Sequence, residues 1–167
     1  MKELTIALAG NPNAGKTTIF NVLTGLHQHT GNWPGKTVEK KEGEIERGEI
    51  KINIVDLPGT YSLTAYSPEE IIARDYIIEE RPDVVINVID ATNLERNLYL
   101  TVQILELDVP VVLALNMTDD LQKSGTKIDT GHLSHLLGNL PVVHTSANQG
   151  KGIDELIDRA VSIANKK

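Results

Sequence analysis

An octet close to the start of the chain combines residue types and a spacing that suit phosphate binding. Residues 10–17 read Gly-Asn-Pro-Asn-Ala-Gly-Lys-Thr, which fits the phosphate-loop template of glycine, four free positions and Gly-Lys-Thr. The glycines allow the backbone to curl until its N–H groups point at an anion. Lys16 would place a positive charge between the β- and γ-phosphates of a nucleotide, and the hydroxyl of Thr17 would ligate Mg²⁺.

The octet stands between a strand pattern and a helix pattern, as a phosphate loop requires. The apolar run 4–9 precedes it, and the apolar positions 19, 22, 23 and 26 follow it at helical spacing. This setting disfavours the alternative of a glycine-rich turn without a ligand. The residues predicted to contact the nucleotide here are Gly10, Asn11, Pro12, Asn13, Ala14, Gly15, Lys16, Thr17 and Thr18.

A second motif, Asp-Leu-Pro-Gly at residues 56–59, follows the apolar run 52–55. An aspartate at the carboxyl end of a strand can hold Mg²⁺, usually through a water, and a glycine N–H there can reach the γ-phosphate. A plain turn explains such a motif when it stands alone. Its position after the phosphate loop favours Asp56 as a Mg²⁺ site and Gly59 as a γ-phosphate contact.

A third motif, Asn-Met-Thr-Asp at residues 116–119, predicts a guanine site. The carboxylate of Asp119 can accept hydrogen bonds from guanine N1–H and N2–H₂, which adenine does not offer, and buried polar groups left unpaired are costly. Asn116 would tie this loop to the phosphate loop, and the alternative reading is an aspartate that caps a helix. Further nucleotide contacts are predicted at Met117, Ser146 and Ala147.

Thr37 is the best candidate for a threonine that closes on Mg²⁺ and the γ-phosphate in the triphosphate state. Thr30 and, more distantly, Thr24 are its rivals. The segment 31–37, Gly-Asn-Trp-Pro-Gly-Lys-Thr, favours Thr37 because it lies next to a predicted edge strand. Taken together, the motifs have the order and spacing of a small GTPase. The predicted Mg²⁺ ligands are Thr17, Thr37 and Asp56.

The elements around these motifs indicate a Ras-like α/β domain. Nearly continuous apolar runs at 84–89, 109–115 and 140–143 are typical of parallel strands covered on both faces, and helical patterns lie between and after them. The alternating segment 42–54 predicts a hairpin. We therefore expect a six-stranded, mostly parallel sheet with one antiparallel edge strand and helices on both faces. The loops 27–37 and 58–67, here called switch I and switch II, are predicted to be mobile.

Composition limits the classes of protein that the chain can belong to. It has 167 residues, 40% of them hydrophobic and 23% charged, which suits one compact domain. A formal charge of −7 argues against a nucleic-acid partner or an anionic membrane surface. No cysteine is present, so disulfides are excluded. We find no signal peptide and no apolar run near the ~20 residues of a membrane helix, and we expect the chain itself to be soluble.

Segments 10–17, 31–39 and 56–63 together resemble ferrous iron transport protein B. The Trp-containing loop and the Thr-Tyr-Ser-Leu run are specific to that family. The resemblance implies that residues 1–167 are the amino-terminal, cytosolic GTP-binding domain of a prokaryotic iron(II) transporter, cut from a longer protein at the cytoplasmic face of the cell membrane. It implies that a helical regulatory domain and a membrane transport domain follow as partners, and it leaves an oligomer open.

The resemblance also implies how the domain departs from ordinary small GTPases. Thr118 replaces a lysine that packs along guanine, so we expect weak binding and fast GDP release. Thr60 replaces the glutamine that positions water, so we expect slow hydrolysis. Asn13 is implied to hold a K⁺ ion beside the phosphates, although a turn-forming role remains the alternative. With Lys16, Thr37 and Gly59, Asn13 completes the predicted catalytic set.

Other readings of the motifs stay open at this stage. A soluble ribosome-assembly or tRNA-modification GTPase has similar phosphate loops, but it usually carries basic appendages that this acidic chain lacks. A switch that signals by nucleotide occupancy, with incidental hydrolysis, is a second alternative, and an ATPase is a third. Trp33 and four of the five histidines are predicted to be exposed; these histidines are His27, His29, His132 and His135.

Overall fold

A single seven-stranded sheet organises the structure, a computed structural model that describes residues 1–166. Its strands are β1 (Lys2–Gly10), β2 (Gln28–Asn32), β3 (Glu39–Arg47), β4 (Ile50–Asp56), β5 (Val84–Asp90), β6 (Val111–Asn116) and β7 (Val142–His144). Their spatial order is β2-β3-β4-β1-β5-β6-β7. The pairs β2–β3 and β3–β4 are antiparallel, and the other neighbours are parallel. The predicted mostly parallel sheet is confirmed.

Six α-helices and two short 3₁₀ turns connect the strands within residues 1–166. The helices are α1 (Lys16–Thr24), α2 (Pro68–Glu80), α3 (Leu94–Leu105), α4 (Thr118–Lys123), α5 (Thr130–Leu136) and α6 (Ile153–Ala164). The 3₁₀ turns are Ala91–Asn93 and Ala147–Gln149. None of the helices described is long and apolar enough to cross a bilayer.

The core forms two apolar layers, one on each face of the sheet. Successive side chains of a strand point to opposite faces, so Ile6 and Leu8 of β1 enter the layer beneath α1 and α6, whereas Ala7 and Ala9 enter the layer beneath α2 and α3. The central strands are therefore apolar at nearly every position. That is why continuous apolar runs, rather than alternating ones, marked them in the sequence.

The predicted count of six strands is wrong because switch I contributes a strand of its own. Residues 28–32 pair with residues 39–43 of β3, so β2 forms the antiparallel edge and β3 is covered. The strand is polar and mostly exposed, and therefore it has no apolar pattern to reveal it. At Gly43 a Cβ atom would lie 2.4 Å from Cγ2 of Thr24 and 2.9 Å from the carbonyl oxygen of His27. The close approach of this edge thus depends on glycine.

The predicted exposure of Trp33 is also wrong, since only 7% of this residue is accessible. A turn folds the Trp33 ring inward, and the backbone N–H of Trp33 donates to the Val38 carbonyl at 2.9 Å. The indole contacts Tyr76 of α2 edge to face, with ring centroids 5.7 Å apart, and Nζ of Lys40 lies 4.7 Å from its ring centre. Burial, with the charges of two nearby glutamates, raises the pKa of Tyr76 to about 12. Switch I is therefore packed against α2.

The start of α6 gives a test of backbone packing. Gly152 has φ 79°, and a Cβ there would lie 2.1 Å from the carbonyl oxygen of His144. Gly138 has φ 80° and no atom within 4 Å of the corresponding position. Gly138→Ala should lose about 1–2 kcal/mol of unfolding free energy from left-handed strain alone. Gly152→Ala should lose at least ~1 kcal/mol more through overpacking. Urea denaturation measures both, and equal losses would contradict the assigned clash.

Candidate functional site

The predicted motifs meet at one edge of the sheet. Parallel strands β4, β1, β6 and β7 all end at this edge, with β5 between β1 and β6, and the segment that follows each of the four contains one motif. Ligands of open α/β sheets bind outside the carboxyl ends of the strands. The structure therefore brings residues that are more than 100 positions apart in the chain to one candidate site.

The phosphate loop curls between β1 and α1. The Ala14 N–H donates to the carbonyl of Asn11 at 3.1 Å, and Gly15, at φ 93°, turns the chain into the helix. The first N–H groups of α1 have no partner within the helix and face the loop, an arrangement that favours anions. Thr17 and Thr18 lie exposed on the first turn. The local geometry has the features of a phosphate cradle.

Lys16 and Asp56 form a buried ion pair across this cradle. The Nζ atom of Lys16 contacts Oδ1 of Asp56 directly, and the two residues are only 6% and 7% exposed. Burial raises the pKa of Asp56, while the charge and hydrogen bond of Lys16 oppose that shift. The two groups predicted to hold a phosphate and Mg²⁺ thus neutralise each other in this conformation.

Main-chain bonds hold the start of switch II against the phosphate loop. The N–H of Leu57 donates to the Leu8 carbonyl at 3.0 Å, and the N–H of Thr60 donates to the Gly10 carbonyl at 3.1 Å. A Cβ on Gly59 would lie 2.8 Å from Cα of Pro12. The Gly59 backbone therefore lies beside the loop that would carry the phosphates. Thr60 is itself buried, with 5% exposure.

Asn116 joins the opposite end of the site to the phosphate loop. Its Nδ2 donates to the Ala14 carbonyl at 3.0 Å, and its Oδ1 accepts from the Thr145 hydroxyl at 2.9 Å and the Ala147 N–H at 3.1 Å. A Cβ on Gly15 would lie 2.2 Å from Nδ2 of Asn116. Only glycine at position 15 permits this contact.

The predicted base contacts form one hydrogen-bonded corner. Oδ1 of Asp119 accepts from the Ser146 hydroxyl and Oδ2 from the Gln149 amide, both at 3.1 Å. Desolvation raises the pKa of Asp119, but the hydrogen bond from Ser146, those from the backbone N–H groups of Asp120 and Asp119, and the charge of Lys123 outweigh it. The pKa is therefore lowered and the carboxylate stays ionised. Thr118 donates to the Thr145 carbonyl at 3.0 Å. No sequence pattern predicted a role for Gln149 or this hydrogen bond of Thr118.

Two predicted site residues are not joined to the rest. Thr37 and Asn13 are exposed, and within residues 1–166 neither side chain makes a hydrogen bond. The conformation described therefore leaves Thr37 on the surface of switch I, and its role remains a prediction, as does that of Asn13. The side chains of His27, His29, His132 and His135 are exposed as well.

The sequence patterns did not predict a buried polar network that lies behind the phosphate loop. Nδ2 of Asn87 donates to the Ala9 carbonyl at 3.3 Å, and Oδ1 of Asn87 accepts from the Thr101 hydroxyl at 2.5 Å. The network fixes the last carbonyl before Gly10 to β5 and α3. A signal was present: Asn87 is the single polar residue in the apolar run 84–89.

The fold and the placement of its motifs define a Ras-like phosphate-loop G domain. The chain belongs to the ferrous iron transport protein B family, whose family model matches residues 4–160, and it corresponds to the amino-terminal G domain. It is 55% identical over 161 residues, 96% of the chain, to the "Fe(2+) transport protein A/Fe(2+) transporter FeoB fusion protein" of Porphyromonas gingivalis. The chain spans about a fifth of the curated relatives it matches, 19% and 21% of the first two.

Solved structures of this family have the same fold. The FeoB G domain of Methanococcus jannaschii is 53% identical with a TM-score of 0.87, and each chain covers 100% of the other. The cytosolic domain of the T. maritima FeoB iron transporter in a GDP form is 48% identical with a TM-score of 0.95. The match spans 99% of this chain and 65% of the T. maritima chain.

The raised pKa of Asp56 predicts how stability depends on pH. Between the ordinary value of 3.8 and the raised value, the folded protein binds more protons than the unfolded chain, so this group lowers stability as the pH rises through that window. Asp56→Asn removes the titration. The variant should therefore gain unfolding free energy relative to the wild type as the pH rises through the window, measured by urea denaturation at several pH values.

The control for this measurement is Ser162→Ala, which changes an exposed residue of α6 that has no titratable side chain. Its unfolding free energy should run parallel to that of the wild type across the same pH range. A constant difference between Asp56→Asn and the wild type would contradict the assignment.

Proposed function

We propose that this chain binds guanine nucleotides with Mg²⁺ and hydrolyses GTP slowly, as the nucleotide switch of a ferrous iron transporter. The observation that carries the proposal is the set of hydrogen bonds by which Asn116 joins Ala14 of the phosphate loop to Ala147 of the base corner. These bonds set a phosphate cradle and an ionised aspartate at the two ends of one site. The GDP form of the related T. maritima domain supports the same assignment.

Phosphate binding requires an exchange of partners at Lys16. Its ammonium group would leave Asp56 for the β- and γ-phosphates, while Asp56 would turn to Mg²⁺. The donor set suits that ion, since Thr17, Thr37 and Asp56 offer hydroxyl and carboxylate oxygens. Bound Mg²⁺ would neutralise charge on the phosphate oxygens. The buried Lys16–Asp56 pair supports this reading because it already holds two of the required charges, in balance, at the loop.

Guanine recognition would fall to Asp119, held by Ser146 and Gln149. Its lowered pKa keeps the carboxylate an acceptor for both guanine N–H groups. Ser146 and Ala147 lie on the adjoining loop, where the Ser146 N–H donates to the Lys151 carbonyl and the Ala147 N–H donates to Asn116. A bond from either N–H to guanine O6 would therefore require an exchange of partners. Met117 would line the base. Adenine would offer the carboxylate neither of these base N–H donors, so its binding would lose the two hydrogen bonds that guanine makes.

Hydrolysis would proceed without a side chain that positions water. Thr60 is buried and stands where Ras-type enzymes have glutamine, so the backbone of Gly59 and switch I would have to orient the water. Lys16 would stabilise the developing charge on the phosphates, and Thr37 would close over them from switch I. The amide oxygen of Asn13, exposed on the loop, would hold a K⁺ ion there in place of an arginine finger.

The role in iron transport belongs to a longer protein. We infer that residues 1–167 form one GTP-binding domain, with a helical regulatory domain and a membrane portion beyond it at the cytoplasmic face. The lengths of the curated relatives support further domains. Nucleotide-dependent changes in switches I and II would gate or drive Fe(II) uptake. The burial of Thr60 also favours a second candidate, a switch that signals by occupancy with incidental hydrolysis.

Asp119→Asn should exchange guanine for xanthine preference. Asparagine offers a donor where xanthine presents a carbonyl at C2, so GDP affinity should fall at least about 100-fold while xanthosine diphosphate affinity rises. Isothermal titration with both nucleotides gives the two affinities. Asp120→Asn, a change at the exposed neighbour in α4, should leave both affinities as in the wild type. Unaltered GDP affinity in Asp119→Asn would sink the base assignment.

Asn13→Ala should abolish the difference between potassium and sodium in GTP hydrolysis. The wild type should turn over at least roughly tenfold faster in K⁺, since one cation placed at developing charge is worth more than about 1.4 kcal/mol. The exposed Asn165→Ala at the end of α6 should retain the wild-type difference. Equal wild-type rates in the two salts would rule out the K⁺ site and leave the occupancy switch as the better reading.

A further inference from the structure

One face of α3 contacts switch II through two side chains. The guanidinium carbon of Arg96 lies 4.4 Å from the ring centre of Tyr61, and Oε1 of Gln103 accepts from the Leu63 N–H at 2.5 Å. Arg96 and Gln103 are seven residues apart, so they lie on the same face of the helix, two turns from each other. The two contacts therefore hold adjacent parts of one loop.

The guanidinium of Arg96 has no competing partner among residues 1–166. It makes no ion pair and no hydrogen bond there, and it lies over the face of the Tyr61 ring. A cation over an aromatic face is worth about 0.5–1 kcal/mol at exposed sites, which corresponds to a two- to fivefold change in an equilibrium. The stack is therefore strong enough to bias a loop between two conformations.

The contact lies next to the part of switch II that faces the nucleotide. Tyr61 directly follows Thr60, whose N–H is bound to Gly10, and it stands two residues after Gly59. Tyr61 and Arg96 also line a small cavity of about 90 Å³ together with Asn11 and Asn13 of the phosphate loop. A change in the contact between Arg96 and Tyr61 would therefore affect the phosphate loop through a single layer of side chains.

The stack coexists with the direct pair of Lys16 and Asp56. An ammonium group engaged by Asp56 is not free to hold a β- or γ-phosphate, so the conformation with the stack differs from the one that either guanine nucleotide requires. A contact made in one of two states shifts the equilibrium towards that state. The stack belongs to the conformation in which Lys16 is engaged by Asp56, so it can bias the protein towards that conformation.

We propose that Arg96 is a positioning residue which latches switch II through Tyr61, aided by Gln103, and so favours the conformation in which Lys16 is paired with Asp56 over the nucleotide-bound conformation. The inference rests on the proposed nucleotide function for its consequence, but the latch itself is a property of the protein alone. In this proposal Arg96 acts through Tyr61 and not through contact with the nucleotide. Loss of the latch frees residues 61–63 and raises the affinity for guanine nucleotides.

The first experiment measures the latch without nucleotide. Amide hydrogen exchange of Leu63, followed by NMR, should become about two- to fivefold faster in Arg96→Met. Tyr61→Phe keeps the ring face and should exchange like the wild type, whereas Tyr61→Leu should match Arg96→Met. The control Arg159→Met removes an exposed arginine of α6 with the same charge change. Unchanged exchange in Arg96→Met, with the fold intact by circular dichroism, would overturn the latch.

The second experiment measures its consequence. The affinities for GDP and for a non-hydrolysable GTP analogue should each rise about two- to fivefold in Arg96→Met and in Tyr61→Leu. The double variant should show no further rise, because both changes break one contact. Tyr99→Leu, a change at an exposed tyrosine of α3, should leave both affinities unaltered.

The two experiments separate the latch from the proposed function. A wild type that binds neither nucleotide would refute the proposed function, and the exchange measurement would still decide whether the latch exists. A wild type that binds both nucleotides, with additive effects of the two changes or none, would refute the latch alone.

Discussion

The site depends on a single buried amide. Asn116 is 3% exposed and uses both ends of its side chain, donating to Ala14 and accepting from Thr145 and Ala147. Loss of one partner would leave a buried polar group unpaired at a cost of about 1–3 kcal/mol. The contact also demands glycine at position 15. The phosphate loop, the end of β6 and the loop after β7 are therefore held at one fixed separation, and a ligand that spans them meets a preformed frame.

Within that frame the positive charge of Lys16 and the negative charge of Asp56 balance each other. Lys16 and Asp56 are both buried, and either one alone would be an uncompensated charge in a site with little solvent. Their mutual contact makes the loop stable in the conformation described. It also means that an anion must compete with Asp56 for the ammonium group, and a cation must compete with Lys16 for the carboxylate. Phosphate and metal would each release the partner that the other requires, so their binding would be mutually favourable.

The sequence predicted what depends on local pattern and missed what depends on long-range contact. Continuous apolar runs marked the buried strands, and the motif order predicted the clustering that Asn116 completes. The polar strand β2 left no periodic trace, because its order comes from hydrogen bonds to β3 alone. Trp33 looked exposed among glycines and proline, but its ring packs against Tyr76 of α2, which lies 43 residues later in the chain. The contact between Arg96 and Tyr61 was missed for the same reason, because the two residues are distant in the chain.

Switch II is held at three places, and their different strengths decide how it can move. Its start is bound to β1 by main-chain hydrogen bonds, and its middle is bound to the first turn of α2, where Glu70 accepts from Ser62 and from the N–H and hydroxyl of Thr64. These bonds lower the pKa of Glu70, led by the one from the Thr64 hydroxyl, so its carboxylate stays ionised as their acceptor.

The contacts of switch II to α3 are one cation–aromatic stack and one hydrogen bond. Residues 62–70 are therefore tied more closely to α2 than to α3, and a release at α3 lets loop and helix shift together. Because Tyr76 of α2 supports Trp33, such a shift alters the surface against which switch I packs.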